Sequence, residues 1–232
     1  MKQKGDTMSQ NVLARMERAG IVPVVVIEDP SKAAQLGRAI LDAGLDLIEI
    51  TMRTPRAMEA LKRVSGELPE IVAGAGTVFS VQMAKEALSA GAGFIVSPHL
   101  DEKIVTFCAT KNIVCMPGVF TPSEVHRAIT AAKKGMPRAS IKQLPLVVKI
   151  FPASTGGPSH ITAMKAVFPD VRFLPLGGVS ASNLTEYVKG GAWAVGGTWL
   201  CKKDLIESGD FAKITELVKD ALSIIATARK SS

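Results

Sequence analysis

Ile21-Val22-Pro23-Val24-Val25-Val26-Ile27 is apolar at every position, with no alternation between a wet and a dry face. A strand of that composition belongs to a parallel sheet covered on both sides. Asp29-Pro30-Ser31 follows as a helix start, residues 33–43 carry a helical period, and Gly44 ends it. The stretch is therefore one strand-then-helix unit, and the rest of the chain repeats it.

Upstream, residues 9–20 place apolar side chains at Val12, Leu13 and Met16 with Gly20 as a stop, the pattern of an amphipathic helix that caps something. Residues 1–8 are a polar lead, and 9–232 read as a single domain. Downstream, strands are predicted at 45–51, 71–77, 94–97, 113–116, 147–152, 171–176 and 192–195. Helices are predicted at 55–64, 80–90 and 100–110, from Thr121 with the capping-box spacing Thr121-Pro122-Ser123-Glu124, from Ser180 and from about Phe211. Eight such units argue for a (β/α)₈ TIM barrel with an N-terminal capping helix, a doubly wound sheet being the alternative. One region breaks the rhythm: residues 133–143 are basic and polar, and read as a surface loop on the N-terminal face or as a subunit contact.

A chain of 232 residues, 47% hydrophobic and 21% charged, has enough apolar material for one sizeable core. No apolar run approaches the ~18–20 residues that cross a bilayer. The start, Met1-Lys2-Gln3-Lys4-Gly5-Asp6, has no hydrophobic segment behind it, so a cytoplasmic protein with no membrane partner is expected. Cys108, Cys115 and Cys201 lack C-x-x-C spacing and read as small core residues. The formal charge of +7 is dispersed and aromatics are only 5%, which argues against nucleic acid and fits a small anionic substrate.

Val147-Val148-Lys149-Ile150-Phe151-Pro152, running into the loop-like Ala153-Ser154-Thr155-Gly156-Gly157, puts a lysine inside a buried strand. Desolvation lowers the pKa of such an amine, and a neutral amine attacks carbonyls, so Lys149 is a candidate for Schiff-base chemistry. A lysine that pairs with a carboxylate or snorkels outward is the plainer alternative, and the stretch alone leaves both open. In a barrel the active site lies at the C-terminal strand ends, where Glu49, Arg53 and Thr77 also fall. A carboxylate facing Lys149 can shuttle protons, and a guanidinium suits a substrate carboxylate. Gly177-Gly178-Val179-Ser180 and Gly196-Gly197-Thr198, after the seventh and eighth strands, suit a phosphate held by backbone N–H groups. His99, His126 and His160 are scattered without ligand spacing, and no metal is expected.

Six runs taken together resemble one family: Ile48-Glu49-Ile50-Thr51-Met52-Arg53-Thr54, Gly74-Ala75-Gly76-Thr77-Val78, Met116-Pro117-Gly118, Lys149-Ile150-Phe151-Pro152-Ala153, Arg172-Phe173-Leu174-Pro175-Leu176-Gly177-Gly178-Val179 and Val195-Gly196-Gly197-Thr198-Trp199-Leu200. They look like the 2-keto-3-deoxy-6-phosphogluconate (KDPG) and 4-hydroxy-2-oxoglutarate (KHG) aldolases. The resemblance implies a metal-independent class I pyruvate aldolase on a trimeric (β/α)₈ barrel, with no cofactor and a small keto acid as substrate. It implies that Lys149 forms the imine, Glu49 is the acid/base, Arg53 and Thr77 hold the pyruvyl carboxylate, and Gly177, Gly178, Gly196, Gly197 and Thr198 take the phosphate. Pro98, Phe151 and Leu176 would line the pocket. Many members carry threonine and glycine where this chain has Leu176 and His99, which leaves the reaction class unchanged and bears on substrate choice, including the C4-epimeric galactonate-type substrate. An isomerase or epimerase of phosphorylated sugars would share the glycine turns without needing an imine-forming lysine.

Overall fold

The apolar run at 21–27 becomes β1 (Ile21–Val25), buried at all five positions of the strand in the computed structural model, which describes residues 8–136 and 146–231. Then follow β2 (Leu47–Thr51), β3 (Val72–Gly76), β4 (Phe94–Val96), β5 (Val114–Met116), β6 (Gly118–Val119), β7 (Val147–Ile150), β8 (Arg172–Pro175) and β9 (Val195–Gly197). The helices are α1 (Met8–Ala19), α2 (Ala33–Asp42), α3 (Ala57–Glu67), α4 (Val81–Ser89), α5 (Glu102–Thr110), α6 (Pro122–Gly135), α7 (Ala153–Val167), α8 (Leu184–Lys189), α9 (Lys203–Ser208) and α10 (Phe211–Lys230).

Every strand pairing is parallel, in the orders β5-β4-β3-β2-β1-β9 and β6-β7-β8. The two segments meet at Pro117, which has no N–H to continue a ladder but whose carbonyl accepts from Lys149 N–H at 2.9 Å. At the other seam Trp193 N–H donates to Phe173 O at 2.9 Å, linking the approach to β9 with β8. The result is a curled parallel α/β sheet in two segments with a backbone hydrogen bond across each seam.

Helix α1 buries Val12, Leu13 and Met16, as its period predicts. Its polar residues bond to chain at or just before the N-terminal ends of strands: Arg15 to Asp46 and to the Glu70 carbonyl, Ser9 to Asn112, and Glu17 to Arg172. It thus lies against the N-terminal side of the sheet, away from the strand ends that carry the reactive residues. Helix α6 has the full capping box between Thr121 and Glu124. Among the described residues no helix is long and apolar enough to cross a membrane. Cys108 and Cys201 are buried and Cys115 is partly exposed, so the expectation of small core residues fits two of the three.

Four local features differ from the sequence reading. Residues 153–157 are not a loop: α7 begins at Ala153, where Ala153 and Ser154 N–H groups donate to the Leu176 and Gly177 carbonyls, and it breaks once at Gly157 (φ 63°) before Pro158. The unit after β8 starts its helix at Leu184 rather than Ser180, because the Asn183 side chain bonds back to Ser180 N–H and the Gly178 carbonyl. Gly196 and Gly197 belong to β9, paired with Val22 and Pro23, rather than to a turn beyond it. The short α9, ended by Gly209 in the left-handed region (φ 78°), was not expected. Residues 1–7 of the polar lead and 137–143 of the basic stretch lie outside the described residues; Lys133, Lys134 and Gly135 end α6.

Met16 is fully buried. Met16→Ala should lower unfolding free energy by about 2–5 kcal/mol, read from the urea midpoint at unchanged slope. A loss below about 1 kcal/mol would mean that α1 is not integral to the core.

Candidate active site

Strand alternation puts Glu49 and Thr51 of β2 on one face, and the register sets Glu49 beside Val24 and Gly74, and Thr51 beside Gly76. Glu49 is 2% exposed, and its Oε1 has no hydrogen-bond donor among the described residues. Two glycines make the room. A Cβ on Gly76 would fall 2.0 Å from Glu49 Oε1, and one on Gly74 would strike the Phe94 ring at the same separation. The Gly-Ala-Gly of β3 is therefore clearance for a carboxylate and an aromatic ring.

Lys149, on β7, pairs with Gly118 and Leu174 and is also 2% exposed. Its Nζ lies 4.7 Å from the Phe151 ring centroid. Lys149 makes no ion pair within 4.0 Å with Glu49, whose Oε1 stays without a partner, yet each lies in the other's field. Burial moves both toward their neutral forms and outweighs their mutual attraction. It raises the Glu49 pKa against the pull of Lys149 and Arg53, and it lowers that of Lys149, with Glu49 opposing and Arg53 assisting. Both shifts run toward the uncharged forms, so burial makes the amine easier to deprotonate and the carboxyl harder to ionise than in water.

Arg53 follows β2, and Met52 N–H donates to the Gly76 carbonyl at 2.8 Å, tying this turn to the end of β3. Arg53 Nε donates to Thr77 Oγ1 at 3.4 Å. Thr77 is buried and has φ +61°, an outlier for a β-branched residue that costs on the order of 1–3 kcal/mol. Next to it Val78 N–H donates to the Val96 carbonyl at 3.1 Å.

Gly177 and Gly178 have φ +90° and +88°. Their turn is fixed through its carbonyls, with Ser154 N–H donating to Gly177 and Asn183 Nδ2 to Gly178, while their own N–H groups donate to nothing among the described residues. Leu176 is 2% exposed and packs on Gly196, where a Cβ would fall 2.4 Å from its Cδ1. By alternation it shares the face of Leu174 and Lys149, one step nearer the strand ends. Thr198 is exposed just beyond β9. The Pro98 carbonyl lies 2.3 Å from where a Gly118 Cβ would stand, on the strand beside Lys149.

The structure thus gathers Glu49, Arg53, Thr77, Lys149, Phe151, Pro98 and Leu176 around the same strand ends, with the Gly177–Gly178 turn nearby. The sequence reading missed Gly76 and Gly118 as clearance. Their only signal was a pair of glycines next to reactive strands. A separate crevice lined by Val26, Glu28, Asp29, Lys32, Lys203, Ile206 and Glu207 holds none of these groups, and its Lys203 pairs with Glu28 at 3.2 Å and Glu207 at 3.5 Å. Among the described residues no three His, Cys, Asp or Glu side chains are placed to hold a metal ion.

The family profile described as "Aldolase: KDPG and KHG aldolase" matches residues 12–217. The chain belongs to the KDPG and KHG aldolase family. A 2-dehydro-3-deoxy-phosphogluconate aldolase of Treponema pallidum is 34% identical over 216 residues, 92% of this chain and 97% of that protein. A KHG/KDPG aldolase of Escherichia coli K12 is 33% identical over 204 residues, 87% and 90% of the two chains. Among solved structures, the KDPG aldolase of Legionella pneumophila, with pyruvate captured at low pH as a covalent carbinolamine intermediate, superposes with a TM-score of 0.81 at 28% identity, covering 93% of this chain and 98% of that one. The resemblance carried by the six runs is thereby a family membership, and Glu49 and Lys149 are the two buried charged residues at these strands, each 2% exposed.

Titrating the Lys149 amine with an uncharged electrophile, read by mass spectrometry, should give a midpoint below the ~10.4 of a free lysine, since labelling grows as pH rises through the folded pKa. Arg53→Met removes a cation that lowers it, so the midpoint should move up. A midpoint at or above ~10.4 would mean that the ion pair, not burial, governs the site.

Proposed function

We propose that the chain is a Schiff-base pyruvate aldolase, a carbon–carbon lyase that cleaves KDPG to pyruvate and glyceraldehyde 3-phosphate, and KHG to pyruvate and glyoxylate. It works without metal or other cofactor, in the cytoplasm. The observation that carries this reading is a lysine buried in β7 whose amine is pushed toward its free base beside a carboxyl pushed toward its acid. The family membership and the carbinolamine seen in the Legionella pneumophila relative support it.

In this mechanism Lys149 Nζ attacks the C2 ketone, and the carbinolamine loses water with a proton from Glu49. The C4 hydroxyl then gives its proton to Glu49 while the C3–C4 electrons move into the iminium, releasing the aldehyde and leaving an enamine. Glu49 returns the proton to C3, and hydrolysis of the imine frees pyruvate. Glu49 Oε1 suits these transfers because among the described residues no group competes for it. Arg53, aligned by Thr77, holds the C1 carboxylate. A phosphate would take the unpartnered N–H groups of Gly177 and Gly178, with Gly196 and Gly197 lining the strand beside them and Thr198 supplying a hydroxyl. Pro98, Phe151 and Leu176 shape the pocket. The same reading takes the sheet as a closed (β/α)₈ barrel capped by α1, a single domain over 9–232, assembled as a homotrimer.

Incubation with pyruvate and borohydride should add one pyruvyl mass to Lys149. Lys149→Met should lose both the adduct and turnover. Glu49→Gln should keep imine formation in part and lower kcat by ~10²–10⁴. An adduct that persists in Lys149→Met would move the chemistry to another lysine.

In this reading Leu176, one step beyond Leu174 and Lys149 toward the Gly177–Gly178 turn, meets substrate C4 and reads its configuration. The phosphorylated six-carbon acid should beat KHG in kcat/KM by more than tenfold, about 1.4 kcal/mol. Leu176→Thr should change the gluconate-to-galactonate ratio while leaving that phosphate preference intact. An unchanged ratio would remove Leu176 from substrate choice.

A further inference from the structure

Thr77 holds a backbone conformation that is an outlier for a β-branched residue, and the segment beyond it is tethered at β4 and just past its end. Phe79, two residues on, is 54% exposed, one of two large exposed apolar side chains among the described residues. Its ring stacks on His99 from the end of β4, with centroids 5.5 Å apart and planes 24° from parallel. His99 is itself held. Its Nδ1 is hydrogen-bonded to Ser97 Oγ at 3.3 Å, Ser97 is 1% exposed, and Ser97 N–H donates to the Met116 carbonyl at 3.1 Å. The Pro98–His99 peptide is seated against Gly118, the residue in register with Lys149, where the His99 nitrogen lies 2.8 Å from a would-be Cβ. Contacts thus run from the strand beside Lys149 through Ser97 and His99 to Phe79, the backbone joins Phe79 through Val78 to Thr77, and Thr77 Oγ1 accepts from Arg53.

We propose that His99 is a positioning residue: stacked on Phe79 and anchored by Ser97, it holds Thr77 in its left-handed conformation and so keeps Arg53 aimed at the keto-acid carboxylate. This rests on the reading of Arg53 and Thr77 as the carboxylate site. The clamp acts on binding of the carboxylate and leaves Lys149 and Glu49 untouched. It also accounts for an exposed aromatic ring at the strand ends that makes no contribution to the core.

The test is borohydride trapping on the full-length protein with two probes, pyruvate and acetone, the second a ketone with no carboxylate. In His99→Gly the pyruvate concentration for half-maximal trapping should rise about two- to tenfold, the range expected for one lost aromatic stack. The extent of trapping at saturation should not change, nor should the half-saturating acetone concentration. His99→Tyr, which keeps a ring for Phe79, should restore most of the pyruvate affinity, and Ser97→Ala should fall between. Equal shifts for both ketones, a pyruvate shift below about 1.5-fold, or no recovery in His99→Tyr would overturn the proposal. Should His99→Gly fail to fold, Ser97→Ala and Phe79→Ala carry the same comparison. Wild-type protein that traps neither ketone would instead overturn the aldolase reading itself, a result distinct from all of these.

Discussion

Two ionisable groups buried among apolar strands are the constraint on which the site depends. Glu49 and Lys149 are each 2% exposed, and among the described residues neither has a partner within ion-pair distance. Burial disfavours both charges and shifts each group toward its uncharged form against their mutual attraction. In the proposed mechanism that shift favours the amine as nucleophile and the carboxyl as acid.

Around that pair the backbone is arranged by subtraction. Gly76 leaves space for the Glu49 carboxylate, Gly74 for the Phe94 ring, and Gly118 for the Pro98–His99 peptide. Each glycine lies in or next to a strand, where side chains normally add packing and β-propensity, so each forgoes some local stability for access. The sheet compensates with strands such as β1 and β2 that are buried at all five positions. On the opposite side, α1 buries Met16 and ties its polar residues to the strand starts, leaving stability and chemistry at separate ends of the fold.

The resemblance singles out Leu176 and His99, and the structure gives the two residues different settings. Leu176 packs on Gly196 at the approach to the Gly177–Gly178 turn, on the face it shares with Lys149. His99 is exposed and stacked on Phe79, two residues beyond Thr77, and its backbone lies against Gly118. One side chain lies on the face that carries Lys149 and the other lies off it. Position in sequence gives no hint of that distinction, since both follow the ends of strands.

The sequence by itself determined the order of strand and helix, because an unbroken apolar run fits only a strand covered on both faces and because Gly44, Gly91 and the Thr121 box mark helix ends locally. It marked Lys149 as a candidate for the same reason, since a lone charge in an apolar strand is anomalous at any register, while a structural pairing with a carboxylate stayed open. Other features depended on partners distant in the chain. Helix α7 starts at Ala153 without a capping side chain because Leu176 and Gly177 carbonyls receive its first N–H groups. Gly196 and Gly197 are strand because Val22 and Pro23 lie beside them. The clearance at Gly76, the left-handed Thr77 and the Phe79–His99 stack exist only once β2, β3 and β4 are side by side. Hydrophobic periodicity is a property of neighbours a few residues apart and can be read along the chain. Steric fit between strands tens of residues apart has no local signature, and only the folded sheet decides it.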